Sequence, residues 1–126
     1  MRRVLIIDDE AAIREIVAVV LETFAGWSVE GCASGREGLE AAKANAPDAI
    51  LLDVTMPDMD GISVLRQLQR DVATTSIPVI FLTAKVQAAD LKQFASLGLA
   101  GVIHKPFDPC KLTAMVAETL GWQGEV

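Results

Sequence analysis

The chain has 126 residues, enough for one domain with a single core. Hydrophobic residues make up 52 % and Tyr is absent, a composition that suits a compact α/β domain and argues against disorder. The formal net charge of −6 disfavours nucleic acid or an anionic membrane as a direct partner.

Val4-Leu5-Ile6-Ile7 is an apolar run too short for a helix, so it reads as a buried parallel strand, and it ends in Asp8-Asp9-Glu10. Met1-Arg2-Arg3 runs straight into it, and no later apolar stretch escapes charge long enough to cross a bilayer. Neither a signal peptide nor a membrane span is expected, and the expected location is cytoplasmic. Ile13, Ile16, Val17, Val20, Leu21 and Phe24 then recur at helical spacing, with Arg14, Glu15 and Glu22 on the other side and Gly26 as a stop. Val29 to Ala33 is a weaker strand. Ser34-Gly35-Arg36-Glu37 has the pattern of a capping box and opens a second helix, which runs to about Asn45.

Ala49 to Leu52 is a third strand, closed by Asp53 and followed by the turn residues Pro57, Asp58, Asp60 and Gly61. Ile62, Leu65 and Leu68 form the apolar side of a third helix. Pro78 to Leu82 is a fourth buried strand, ending in Thr83-Ala84-Lys85. A fourth helix over about Ala88 to Leu97 points Leu91, Phe94 and Ala95 inward and stops at Gly98. Gly101 to His104 is a short fifth strand, followed by Lys105-Pro106-Phe107. Asp108 is placed as an N-cap and Pro109 as the first residue of a last helix carrying Leu112, Met115, Val116, Thr119 and Leu120. Strands separated by helices of this length imply right-handed crossovers and a parallel sheet covered on both faces. The domain is expected over residues 1–121, with 122–126 a short tail.

Four strand ends carry polar residues: Asp8 and Asp9, Asp53, Thr83, and Lys105. In a parallel sheet the carboxyl ends share one edge, where open α/β sheets bind their ligands. Three carboxylates gathered there repel one another unless a cation is present, and oxygen ligands suit a hard divalent ion such as Mg²⁺. Lys105 is a point charge suited to a phosphoryl oxygen, and Thr83 can donate a hydroxyl hydrogen bond to the same group. One carboxylate is left to act as a nucleophile. Cys32 and Cys110 lack any metal-ligand spacing and read as reduced thiols, and the single His104 cannot build a metal site by itself.

VLIIDDE, ILLDVTMPDMDG, VIFLTAK and GVIHKPF, in this order, resemble the signatures of a two-component response-regulator receiver domain. The resemblance spans roughly Arg3 to Leu120 and is closest in kind to the stand-alone chemotaxis regulators. It implies a flavodoxin-like doubly wound sheet of five strands in the order 2-1-3-4-5 with five helices, an order that sets Asp8, Asp9 and Asp53 side by side. It further implies that Asp53 is the phosphoacceptor, taking a phosphoryl group from a sensor histidine kinase or phosphotransfer protein. Mg²⁺ would be bound by Asp9, Asp53 and the backbone carbonyl of Thr55, with Asp8 acting mostly through water. Lys105 and Thr83 would contact the phosphoryl group, and the Lys105-Pro106 peptide would be cis.

The output implied is a population shift that controls binding of a downstream effector protein, by a monomer or a phosphorylation-dependent dimer. The chain departs from the family at Val102, three residues before the lysine, where receivers usually carry Tyr or Phe. A switch less dependent on an aromatic rotor is therefore expected. Thr55 and Lys85 match family positions bordering the phosphoryl group, while His104 should point away from the side of Lys105. Two other functions compete. A Mg²⁺-dependent phosphatase of the haloacid-dehalogenase type needs a second Asp two residues after the nucleophile, where this chain has Thr55. A degenerate receiver acting only as an interaction module would be expected to lack one of the acidic residues, the threonine or the lysine. The Met1 start and the lack of a linker after Leu120 favour a stand-alone regulator.

Overall fold

The structure is a computed structural model that describes residues 2–122. Its elements are β1 (Arg3–Ile7), α1 (Ala11–Ala25), β2 (Ser28–Cys32), α2 (Gly35–Asn45), β3 (Ala49–Asp53), α3 (Gly61–Arg70), β4 (Val79–Thr83), α4 (Ala88–Ala95), β5 (Gly101–His104) and α5 (Pro109–Leu120). The strands are all parallel and lie in the order β2-β1-β3-β4-β5, as expected. The fold is the flavodoxin-like doubly wound sheet.

Alternation along the strands splits the core into two layers. Val4, Ile6, Ala49, Leu51, Ile80, Leu82 and Ile103 face Val17, Val20 and Leu21 of α1 and Leu112, Val116 and Ala117 of α5. Leu5, Ile7, Ile50, Leu52, Val79 and Phe81 face Ala42 of α2, Val64, Leu65 and Leu68 of α3, and Phe94 of α4. Both faces of the central strands β3 and β4 are buried, which is why those segments are continuous apolar runs rather than alternating ones. Each large aliphatic side chain so buried contributes about 1.5–3 kcal/mol.

The helix ends at Ser34, Asp108 and Gly26 follow the local chemistry read from the sequence, and the structure adds Asp60 and Gly121. Ser34 Oγ accepts from Glu37 N, Asp60 from Ser63 N, and Asp108 from Cys110 N with Pro109 in the first turn. Gly26 and Gly121 close α1 and α5 in the left-handed conformation, which costs a residue without a Cβ nothing.

Two helices sit differently from their apolar pattern. In α1, Ile16 and Phe24 are exposed, so the buried stripe is the narrower Val17-Val20-Leu21 with Ile13 at its edge. In α4, Leu91 and Ala95 face outward and Phe94 alone is buried, stacked edge-on to Phe81 with centroids 5.2 Å apart. Alpha-helical spacing marks which residues share a face, and only the neighbouring elements decide how wide a face is covered.

The boundary after residue 121 also shifts in meaning. Trp122 is buried in the α1/α5 layer, edge-on to Trp27 at 5.2 Å, with the Arg2 guanidinium 4.4 Å from its ring centre. The remainder of the expected tail, 123–126, lies outside the described residues.

Candidate functional site

Register brings the strand ends level. Ile7 pairs with Leu52, Asp53 with Leu82, and Thr83 with His104. Asp8 and Asp9 leave β1, Asp53 closes β3, Thr83 closes β4 and Lys105 leaves β5 on one edge of the sheet. All five residues singled out from the sequence meet there.

Lys105 is the centre of the charge network. Its Nζ donates to Asp8 Oδ2 at 2.7 Å and lies 3.4 Å from Asp53 Oδ1. The second Asp8 oxygen accepts from Glu10 N at 2.9 Å, and Asp8 is fully buried. Asp53 is 5 % exposed, and its Oδ1 also accepts from Thr55 N at 3.4 Å. Burial first, and then the Asp8 charge, push the Asp53 carboxyl up to about 6, while Lys105 and the Thr55 N–H pull it back. For Lys105, burial opposes its charge, but the bond to Asp8 and the two carboxylates prevail and hold its pKa above the usual value.

Asp8, Asp9 and Asp53 each offer a carboxylate oxygen within 4.8 Å of the others. Two of these side chains are buried and Asp9 is exposed. A group of three carboxylate oxygens with no Cys or His suits a hard cation, not zinc or copper. The lysine offsets only part of that negative charge, which leaves a divalent cation as the natural complement.

Thr83 is buried, and its Oγ1 accepts from Lys85 N at 2.8 Å, so the hydroxyl proton remains free to donate. Lys85 and Thr55 are exposed on the loops beside it. The Lys105-Pro106 peptide is cis. His104 is exposed, and Val102 packs partly into the α2/α3/α4 layer, so both stand on the side of β5 away from α1 and α5.

Three residues that the sequence reading named but did not assign to the site shape this edge. The Arg14 guanidinium donates to the Asp8 carbonyl at 2.8 Å. Asp58 accepts from Gly35 N at 3.3 Å and Arg36 N at 3.4 Å, tying the β3–α3 loop to the start of α2; desolvation pushes its carboxyl up, but backbone N–H groups, Gly35 and Arg36 first, together prevail and hold it below the usual range. Gly61 N donates to the Val54 carbonyl at 2.7 Å, and a Cβ there would stand 2.6 Å from the Asp53 carbonyl oxygen. Only glycine lets α3 start so close to the strand carrying Asp53. Glycine and aspartate in a turn-rich stretch were a signal for a loop, but not for where that loop is anchored.

Residues 4–117 match the model of the response regulator receiver domain. The chain belongs to this family. Curated relatives include the DNA-binding dual master transcriptional regulator RpaA of Synechocystis, 40 % identical over 95 % of this receiver. The phosphate regulon transcriptional regulatory protein PhoB of Pseudomonas aeruginosa is 39 % identical over 94 % of it. The chain spans about half of those proteins, 49 % and 52 % of their lengths. Among solved structures, the Vibrio cholerae chemotaxis protein CheY4 aligns with a TM-score of 0.87 at 31 % identity, covering 94 % of this receiver and 98 % of that chain. A putative response regulator from Chloroflexus aurantiacus aligns with a TM-score of 0.86 at 31 % identity, covering 95 % and 98 %. Receivers of this kind are signalling domains, and among the described residues no helix is long and apolar enough to cross a membrane.

Proposed function

We propose that this receiver is switched by transfer of a phosphoryl group to Asp53 from a phosphohistidine of a sensor kinase or phosphotransfer protein. The observation that carries this reading is Lys105, whose ammonium reaches both Asp8 and Asp53 at one end of a cluster of three carboxylates. At neutral pH, above the Asp53 pKa of about 6, the carboxylate is predominantly ionised and able to attack. A carboxylate oxygen of Asp53 forms a bond to phosphorus as the phosphorus–nitrogen bond breaks, and the electron pair leaves with the imidazole. Lys105 exchanges its contact with Asp53 for one with the phosphoryl oxygens. Thr83, whose proton is free, turns to donate to the same group.

Asp9, Asp53 and the Thr55 carbonyl, with Asp8 through water, are the residues that would hold Mg²⁺. When bound, the ion offsets charge on the transferring phosphoryl group. Once Asp53 is modified, the redistribution of Lys105 and Thr83 biases the β4–α4 loop and α4, which a single buried side chain holds to the sheet. Val102 in place of an aromatic leaves that response to the loop and α4, and Val102→Tyr tests it by changing phosphorylation-dependent partner binding. Effector control inside a cell, by this chain alone or as part of a longer regulator, follows from that bias.

The test is incubation with a small-molecule acyl phosphate and Mg²⁺, followed by intact mass. One added phosphoryl group, dependent on Mg²⁺ and absent in Asp53→Asn, is expected. Absence of both adduct and Mg²⁺ binding would leave a phosphorylation-independent interaction module. Continuous phosphate release without an adduct, if rapid quench also traps none, would identify a phosphatase.

A further inference from the structure

Asp8 is held on every side. Its N–H donates to the Cys32 carbonyl at 3.0 Å, and its carboxylate oxygens accept from Glu10 N at 2.9 Å and Lys105 Nζ at 2.7 Å. Asp9 is different. It is exposed, and among the described residues no hydrogen bond or ion pair holds its carboxylate. Its direction depends on the peptide that joins it to Asp8.

Among the described residues a single side chain grips that peptide. Arg14 Nη1 donates to the Asp8 carbonyl at 2.8 Å, a charge-assisted bond from α1 back to the end of β1. The arginine stem reaches there across β2 at Gly31, where a Cβ would stand 3.3 Å from Arg14 Cδ. The missing side chain at Gly31 leaves the stem its path.

We propose that Arg14 is a positioning residue for the divalent cation: by fixing the Asp8–Asp9 peptide it aims the Asp9 carboxylate into the acidic cluster. This rests on the reading of that cluster as the Mg²⁺ site. Removing Arg14 has two effects of opposite sign. Loss of a positive charge beside three carboxylates tightens the binding of another cation. Loss of the grip on the peptide lets Asp9 swing and weakens it. The sign of the change separates a positioning role from a purely electrostatic one.

The experiment is a Mg²⁺ titration of unphosphorylated wild type, Arg14→Met and Arg14→Lys, followed by amide chemical shifts. Hydrogen exchange at the Asp9 and Glu10 amides of metal-free protein is a second readout. Arg14→Met is expected to bind Mg²⁺ roughly 3- to 10-fold more weakly, less than the roughly 10- to 100-fold typical of residues that orient metal ligands, because loss of the positive charge offsets part of the effect. Arg14→Lys, whose ammonium can still donate to the Asp8 carbonyl and so keep part of the grip, is expected between the two. Exchange at Asp9 and Glu10 should quicken in Arg14→Met while the β3 amides stay protected. Affinity in Arg14→Met equal to or tighter than wild type overturns the proposal and leaves the acidic cluster as a Mg²⁺ site. No Mg²⁺ binding by wild type overturns both.

Discussion

The two ends of the sheet are built on opposite principles. At the amino end, Trp27 and Trp122 close edge-on over the α1/α5 layer with Arg2 above, and both rings are buried. At the carboxyl end, the buried carboxylates of Asp8 and Asp53 share one lysine, and burial raises the Asp53 pKa to about 6. One end stores apolar contact and the other stores repulsion. Removing a side chain should therefore have opposite signs at the two ends, as expected where a binding or reacting edge is carried at the expense of stability.

The largest effect is expected at the amino end. Trp122→Ala removes a large buried ring and exposes Trp27, and should lower unfolding free energy by about 3 kcal/mol, read by urea denaturation. A loss well under that would mean that Trp122 adds little to the layer.

At the carboxyl end, metal-free Asp53→Asn should be more stable than wild type near pH 7, by about 1–2 kcal/mol after allowing for solvent screening. The pH dependence follows from the raised pKa of about 6. Because the folded state binds this proton more tightly than the unfolded chain, the group's contribution is fully present below about pH 4 and is lost as pH rises through about 6. The advantage of Asp53→Asn should accordingly shrink on acidification from pH 7 to pH 4, as paired denaturation curves would show. An advantage that grows instead would mean that the contact with Lys105 outweighs burial and Asp8.

The smallest effect sharpens the description of the amino end. Trp27 Nε1 is buried without a hydrogen-bond partner among the described residues. Trp27→Phe gives up ring area but relieves that N–H, and the two should nearly cancel, within about 1 kcal/mol.

The five strands and the polar residues at their ends were legible in the sequence because both are short-range signals, whereas the strand order was implied by the resemblance to receiver domains. Apolar runs of strand length between helical periods mark the alternating elements, and Asp8, Asp9, Asp53, Thr83 and Lys105 each sit at the end of such a run. What escaped depends on neighbours distant in the chain. Ile16 and Phe24 fit the helical pattern of α1 yet face outward, because α5 and the sheet cover only a narrow stripe. Leu91 fits α4 in the same way, where only Phe94 finds a partner. Arg14 reads as an outer-face charge, and nothing local reveals that its guanidinium turns back to the Asp8 carbonyl. Trp122 falls beyond the last helix and finds its partner 95 positions earlier, at Trp27.

That last pairing fixes what light can report about this molecule. The chain has 2 Trp and no Tyr, and both indoles sit at the end of the sheet opposite the acidic edge. Their emission should therefore follow global unfolding and the docking of the end of α5, and stay nearly silent when a cation or a phosphoryl group arrives at Asp53. A fluorescence titration without response would say nothing against binding there, and a tryptophan placed in the β4–α4 loop would be needed to see it.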